Sequence, residues 1–379
     1  MQAKHGSAVP FRSRGRLIGC CMALVFALSA VVFAPAAANA ETPPVTTYLA
    51  LGDSISFGYS EQLFNENFPV LSPSYFEHGF DNTFAKDVKA KVEGNKGLVI
   101  VNDACPGETS NGLVGENPAL GGKAEAAYKP CAYHYVNQLP LHNGGYYNPA
   151  TGKPVSQLEE ALATLKEGAP AHPITGITLN IGGNDELAAI TLCTAEVKQE
   201  FEEKGTSKYG TEPGAAITTC IVSGAEATFN HIIKNLQSTI GAIDSTSPGG
   251  GHYKGVIVLL GAYNPDSFLL AGSDGLQVFF NEKVEKEVVA AFPNVKFANP
   301  FPKFNPSPEQ GPKEKKALEK YTEMFNAGDI AFNKATKEEA NTDESEEGKT
   351  VIFPPNGEGD IHPSPLGYST IGKLAFEAF

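Results

Sequence analysis

The chain has 379 residues, and its 43 acidic and 29 basic side chains give it a formal net charge of −14. Nucleic acids and anionic membranes bind dense positive charge, so this composition argues against both as partners. Hydrophobic residues make up 41% of the chain, which is enough for a sizeable core.

The first forty residues have the order of a secretory signal peptide. A basic stretch ends at Arg16, an apolar run covers Leu17 to Ala34, and small residues precede a cleavage point after Ala40. The run is near the short end of the ~20 residues that span a bilayer, and Pro35 follows it directly, so we expect cleavage and no stable membrane insertion. The sequence therefore predicts a secreted, extracellular protein, which we expect to be a monomer, with residues 1–40 as its signal.

Four cysteines remain after this cleavage: Cys105, Cys131, Cys193 and Cys220. An even number in an exported chain indicates disulfide bonds, and four cysteines permit three pairings. We favour the sequential pairing, Cys105 with Cys131 and Cys193 with Cys220, because each bond then closes a local loop. No cysteines or histidines have the spacing of metal ligands, so we expect no metal site.

Five short apolar runs are rich in β-forming residues, at 46–51, 98–101, 174–181, 255–260 and 295–298. None alternates between apolar and polar residues, which is typical of strands that are buried on both faces of a parallel sheet. Segments with helical spacing lie between and after them, at 74–92, 156–167, 215–243, 276–291 and 365–378. This alternation predicts one domain over residues 41–379, a three-layer α/β/α fold with a central parallel sheet of about five strands.

Two segments interrupt the alternation. Residues 112–154 are rich in Gly, Asn, Pro and Tyr, which indicates a loop insertion that either helps to form a substrate pocket or lies on the surface. Residues 313–349 are charged and helix-forming, which favours a solvated helix with an acidic end.

Residues that follow the predicted strands carry the chemistry. In open α/β sheets the ligand crevice lies at the carboxyl ends of the strands. Ser54 follows the first run in Gly-Asp-Ser-Ile, Gly107 follows the second, and Asn184 follows the third in Gly-Gly-Asn-Asp, while His362 lies near the C-terminus in Asp-Ile-His-Pro. A serine nucleophile needs a base to take its proton and donors to stabilise an oxyanion, and these positions supply each of those parts.

The order and context of these motifs resemble the blocks of the SGNH, or GDSL, hydrolase family over nearly the whole of residues 41–379. The cysteines beside the motifs also resemble those of secreted actinobacterial lipases and esterases. The resemblance implies Ser54 as nucleophile, His362 as general base, and an oxyanion hole formed by the N–H groups of Ser54 and Gly107 and the amide of Asn184. It implies no metal and no organic cofactor. A rival α/β-hydrolase would carry a Gly-x-Ser-x-Gly pentapeptide, which residues 41–379 lack.

One position departs from the family pattern. The family's acid lies three residues before the histidine, and that position is Gly359 here. Asp360 is two residues before His362 and Glu358 is four before. We predict that Asp360 orients the histidine, with Glu358 or a backbone carbonyl as the alternatives.

These features predict a secreted serine esterase or lipase that hydrolyses acyl esters through an acyl-enzyme intermediate. The expected partner is a small-molecule, lipid or glycan ester. One alternative is a carbohydrate O-deacetylase on the same fold, which the polar segment 112–154 would suit. Another is a non-catalytic binding or surface protein, which would have no physical need for nucleophile, base and oxyanion donors together.

Overall fold

A parallel sheet forms the centre of the molecule. The computed structural model describes residues 47–92, 97–115, 135–136, 139–142, 155–167, 173–246, 252–265, 272–306, 317, 320 and 361–379. The predicted signal peptide and most of the two interrupting segments, 112–154 and 313–349, lie outside the described residues.

The strands of this sheet are β1 (Thr47–Gly52), β2 (Val99–Asn102), β5 (Ile174–Asn180), β6 (Val256–Leu260) and β7 (Val295–Ala298). Their order is β2-β1-β5-β6-β7, and every neighbouring pair is parallel. All five strands were predicted, and each begins and ends within one residue of the predicted run. A small antiparallel hairpin, β3 (Tyr135–Val136) with β4 (Leu139–Pro140), lies apart from the sheet.

The helices in chain order are α1 (Ser54–Phe57), α2 (Glu61–Asn67), α3 (Phe80–Lys91), α4 (Ser110–Val114), α5 (Gln157–Glu167), α6 (Gly183–Lys204), α7 (Pro213–Asp244), α8 (Ser273–Lys283), α9 (Phe301–Phe304) and α10 (Pro365–Ala378). The predicted helix 74–92 is a 3₁₀ turn, Pro73–Phe76, followed by α3. The predicted helix 276–291 begins as α8 and continues beyond Lys283 through a π turn and a 3₁₀ turn to Ala291.

Both faces of the sheet are covered, because alternate residues of each strand point to opposite sides. Leu49 and Leu51 of β1 belong to one buried cluster, together with apolar residues of α5, α7 and α8. Tyr48 and Ala50 belong to a second cluster, together with apolar residues of α3 and α10. The protein is therefore a three-layer α/β/α sandwich, as predicted.

Helix α6 was not predicted. It begins with the Gly-Gly-Asn turn signal, and its buried residues are limited to Asp185, Ala188 and Val197, so it carries little apolar periodicity. A bond between Cys193 and Cys220, with Cα atoms 5.7 Å apart, links α6 to α7, as the sequential pairing predicts. Cys105 is also disulfide-bonded, while Cys131, its predicted partner, lies outside the described residues.

Within the ranges that the structure describes, no helix is both long enough and apolar enough to cross a membrane.

Candidate active site

Ser54 lies where β1 ends at the carboxyl edge of the sheet. Gly52 has a φ of 127°, and a Cβ atom there would overlap the carbonyl oxygen of Asn180 at the end of β5, so glycine is required. The side chain of Gln157 clamps the same residue, since its Oε1 accepts from the Gly52 N–H at 2.6 Å and its Nε2 donates to the Gly52 carbonyl at 2.9 Å. Asp53 then accepts a hydrogen bond from the Ile55 N–H at 3.0 Å and caps α1, whose first residue is Ser54.

His362 approaches Ser54 from the far end of the chain. Its Nε2 lies 2.8 Å from the Ser54 Oγ, although 308 residues separate the two in sequence. The histidine precedes α10, which Ser364 caps through a hydrogen bond from the Gly367 N–H at 3.2 Å. A serine hydroxyl at this distance can pass its proton to a neutral imidazole, so the pair has the geometry of a nucleophile and its general base.

Two aromatic residues hold this end of the chain. The Tyr263 hydroxyl donates to the carbonyl oxygen of Ile361 at 2.5 Å, and its ring stacks on Phe304 with a centroid distance of 4.3 Å. The ring of Tyr59 meets that of His362 edge-on, with centroids 4.7 Å apart. Neither tyrosine was predicted from the sequence, although Tyr263 follows the fourth predicted strand and could have been found by the same rule as Ser54.

Ser54, Gly107, Asn184 and His362 all line one cavity of about 480 Å³. Gly107 has a φ of 82°, and a Cβ atom there would meet nothing within 4 Å, so the backbone conformation, not a lack of space, calls for glycine. Nδ2 of Asn184 donates to the carbonyl oxygen of Glu108 at 2.9 Å, which fixes the amide beside the Gly107 turn. In the described part of the chain no acceptor takes the N–H of Ser54 or of Gly107.

A buried polar network joins the elements that carry these donors. The carboxylate of Asp185, next to Asn184, accepts from the N–H of Ser110 at 2.8 Å and from its hydroxyl at 2.7 Å. Nδ2 of Asn235 donates to Asn111 Oδ1 at 2.7 Å. Helices α4, α6 and α7 are thereby tied together directly behind Gly107 and Asn184. No sequence motif indicated this network, because its members come from three separate segments.

The site contains a buried carboxyl group. Burial raises the pKa of Asp53 to about 7, and the hydrogen bond from the Ile55 N–H and the nearby His362 oppose this effect. Burial also raises the pKa of Asp185, whereas the hydrogen bonds that its carboxylate accepts from Ser110 act to lower it. Asp53 therefore changes its charge near neutral pH, beside the Ser54 and His362 pair.

The predicted orienting residue, Asp360, and its alternative, Glu358, lie outside the described residues. Among the residues that are described, no three His, Cys, Asp or Glu side chains are grouped so that they could hold a metal ion.

Fold and site together define an α/β/α protein with a serine and histidine pair at the carboxyl edge of a parallel sheet, next to a cavity with amide donors. No known family profile and no curated protein matches the sequence.

Similar folds exist among solved structures. A member of the lipolytic protein G-D-S-L family from Veillonella parvula is 16% identical, with a TM-score of 0.35, over 88% of this chain and 97% of that one. TesA is 14% identical, with a TM-score of 0.33, over 88% and 97%. A protein described as a GDSL-like lipase, from Parabacteroides merdae, is 14% identical, with a TM-score of 0.36, over 89% and 96%.

Proposed function

We propose that this protein is a serine esterase or lipase that hydrolyses carboxylic esters through an acyl-enzyme intermediate. The observation that carries the proposal is the 2.8 Å contact between Ser54 Oγ and His362 Nε2 at the wall of a cavity. The amide donors beside this contact support the same function. A binding protein would need a cavity, but it would not need a nucleophile, a base and oxyanion donors in one place.

Each residue then has a distinct part in the reaction. Ser54 Oγ attacks the carbonyl carbon of the ester while His362 Nε2 takes its proton. The N–H groups of Ser54 and Gly107 and the Asn184 amide stabilise the negative oxygen that forms. His362 returns the proton to the departing alcohol, and a water molecule activated by the same histidine releases the acid and restores Ser54.

The proposal includes export. The first forty residues and the bond between Cys193 and Cys220 support a protein that leaves the reducing interior of the cell. N-terminal sequencing of the exported protein should give a chain that begins at Glu41. A start upstream of the apolar run would contradict cleavage.

Replacement of Ser54 by alanine tests the proposed nucleophile. Ser54→Ala should lower ester hydrolysis by about 10³-fold or more and leave the fold intact, because the change removes one hydroxyl from the first residue of α1. A fluorophosphonate probe should label the wild type and fail to label the variant.

Ser56→Ala is the matched control for this test. Ser56 lies two residues along the same short helix, and its hydroxyl is fully buried with no hydrogen-bond partner in the described structure. This control should keep both labelling and turnover. Labelling of Ser54→Ala at the wild-type level would show that another residue is the nucleophile.

The carbohydrate O-deacetylase alternative uses the same chemistry on an acetyl group. A panel of acetylated glycans and longer acyl esters separates the two activities. The apolar walls of the cavity favour the longer acyl esters over acetylated glycans.

A further inference from the structure

The cavity extends well beyond Ser54. From the catalytic edge it continues between α6 and α7, where its walls are Leu187 and Ile190 of α6 and Ile221, Ala225 and Phe229 of α7. We call this part of the cavity the apolar arm. A reaction at the ester bond alone makes no use of it.

Helix geometry explains how the apolar arm forms. Leu187 and Ile190 are three residues apart, and Ile221, Ala225 and Phe229 follow one another at intervals of four. Residues at these spacings lie on one face of a helix, so each helix presents a mainly apolar face to the cavity. The bond between Cys193 and Cys220 holds the two helices together about one turn beyond Ile190 and next to Ile221.

Few polar residues of α6 and α7 line the cavity. Glu186 and Thr228 also line the cavity, and Glu186 accepts a hydrogen bond from Gln277 Nε2 of α8 at 3.4 Å. The remaining polar wall residues include Asn180, the last residue of β5, and Asn264, which comes four residues after β6. The cavity thus has a polar end at Ser54 and an apolar end between the helices. A cavity of about 480 Å³ with mostly apolar walls and a few polar groups at one end has the size and lining of a small-molecule binding site.

We infer that the apolar arm is an acyl subsite and that the substrate is the ester of a straight-chain acid of about eight carbons. The inference rests on the proposed ester hydrolysis. The acyl carbonyl lies at the Asn184 end, because the oxyanion donors are there. From Asn184 to Ile190 the helix rises about 9 Å. A zigzag alkyl chain with bonds of ~1.5 Å advances ~1.25 Å per carbon, so about seven methylene or methyl groups fit beyond the carbonyl.

The first experiment measures kcat/KM of the wild type on p-nitrophenyl esters from acetyl to hexadecanoyl. Each methylene group that enters the apolar arm should raise kcat/KM about fourfold, the equivalent of about 0.8 kcal/mol of burial, up to about the octanoyl ester. Longer chains should bring no further gain. A profile that is flat, or highest for acetyl, would overturn the inference while leaving ester hydrolysis established. Hydrolysis of no ester by folded protein would instead overturn the proposed function.

The second experiment fills the apolar arm. Ala225→Leu adds bulk to its wall and should lower the ratio of octanoyl to acetyl kcat/KM at least tenfold. Ala227→Leu is the matched control, since Ala227 lies on the same helix, is exposed and is not part of the cavity wall, and it should keep the wild-type ratio.

A third variant covers the case in which Ala225→Leu fails to fold. Ala189 of α6 lines the cavity and is only half-buried, so its replacement by leucine can be accommodated. Ala189→Leu should lower the same ratio. An unchanged ratio in either folded variant contradicts an acyl chain between α6 and α7.

Discussion

Tyr263 holds the backbone next to His362. Its hydroxyl donates to the carbonyl oxygen of Ile361, the residue before the histidine, and the stacked ring of Phe304 supports it. The contact does not touch the reacting atoms. Its effect on the reaction would pass through the position of the imidazole ring, and small misplacements of a base are costly to turnover.

We expect Tyr263→Phe to lower kcat about tenfold with little change in KM, because the hydroxyl is bonded to the Ile361 carbonyl oxygen and the phenylalanine ring keeps the cavity wall in place. The free energy of unfolding should fall by about 1 kcal/mol, the usual net value of one hydrogen bond. Steady-state kinetics and urea unfolding measure the two effects. Loss of stability with an unchanged kcat would reduce Tyr263 to a purely structural role.

Tyr253→Phe is the control for this variant. Tyr253 is 6% exposed, as is Tyr263, but its buried hydroxyl has no hydrogen-bond partner in the described structure. Removal of that hydroxyl should leave kcat unchanged and should leave the protein at least as stable as the wild type.

The partner of His362 Nδ1 is the second question at the residue scale. A carboxylate there fixes the tautomer of the ring and stabilises the imidazolium, and loss of such a group can cost about 10⁴-fold in turnover. We predict that Asp360→Asn slows ester hydrolysis by orders of magnitude, whereas Glu358→Gln has little effect. If both variants keep near-normal turnover while His362→Ala is inactive, a backbone carbonyl or a distant side chain orients the base.

At the scale of elements, the strands were easier to predict than the helices. Strand β6 is a continuous apolar run, and β5 is rich in β-forming residues without in/out alternation, because both faces of each strand are buried. Such runs stand out in a sequence. Helix α6 buries few of its residues and starts with turn-forming glycines, so local pattern did not reveal it.

The same contrast holds for the candidate site. Ser54, Gly107 and Asn184 were singled out because the ends of parallel strands meet at one edge, and the family resemblance implied their roles. The roles of Tyr263 and Asp185 depend on hydrogen bonds across 98 and 75 residues of sequence, which no local pattern encodes.

The bond between α6 and α7 should affect both stability and substrate choice. It closes a loop with a sequence separation of 27 residues. On the chain-entropy model, the double variant Cys193→Ala/Cys220→Ala should lose about 3.5 kcal/mol of unfolding free energy. Ile190 and Ile221 lie within one turn of these cysteines, so the ratio of octanoyl to acetyl kcat/KM should also fall. Calorimetry and the ester series measure the two effects, and a variant that melts with the wild type would show that packing alone holds the helices together.

At the scale of the whole molecule, several carboxyl groups of this acidic chain are buried in the folded state. Burial raises the pKa of Asp81 to about 6, although Nδ2 of Asn102 donates to it at 3.0 Å. Burial raises the pKa of Asp53 and Asp185 in the same direction. The folded protein therefore retains protons on these groups at pH values where the unfolded chain has already released them.

The consequence for stability follows from linkage. Between about pH 4 and the raised pKa values the folded state binds more protons than the unfolded state, so the free energy of unfolding falls as the pH rises. For Asp81 the stabilisation is complete below about pH 4 and is lost as the pH passes about 6. A shift of about two pKa units corresponds to a loss on the order of 3 kcal/mol.

Asp81→Asn isolates this contribution, because the amide has no proton to lose and keeps an oxygen for Asn102. Urea unfolding of this variant between pH 4 and pH 7 should show a slope that is shallower than that of the wild type, by about 3 kcal/mol over the range. Asp87→Asn removes an acidic group from the same helix at a carboxylate that pairs with Lys91 at 3.1 Å, and it is the control for the loss of one charge. Ester hydrolysis by Asp81→Asn should match the wild type at each pH where both are folded, since Asp81 is not part of the cavity wall. A slope equal to that of the wild type would mean that Asp81 is ionised in the folded protein across this range, and that burial does not govern its proton.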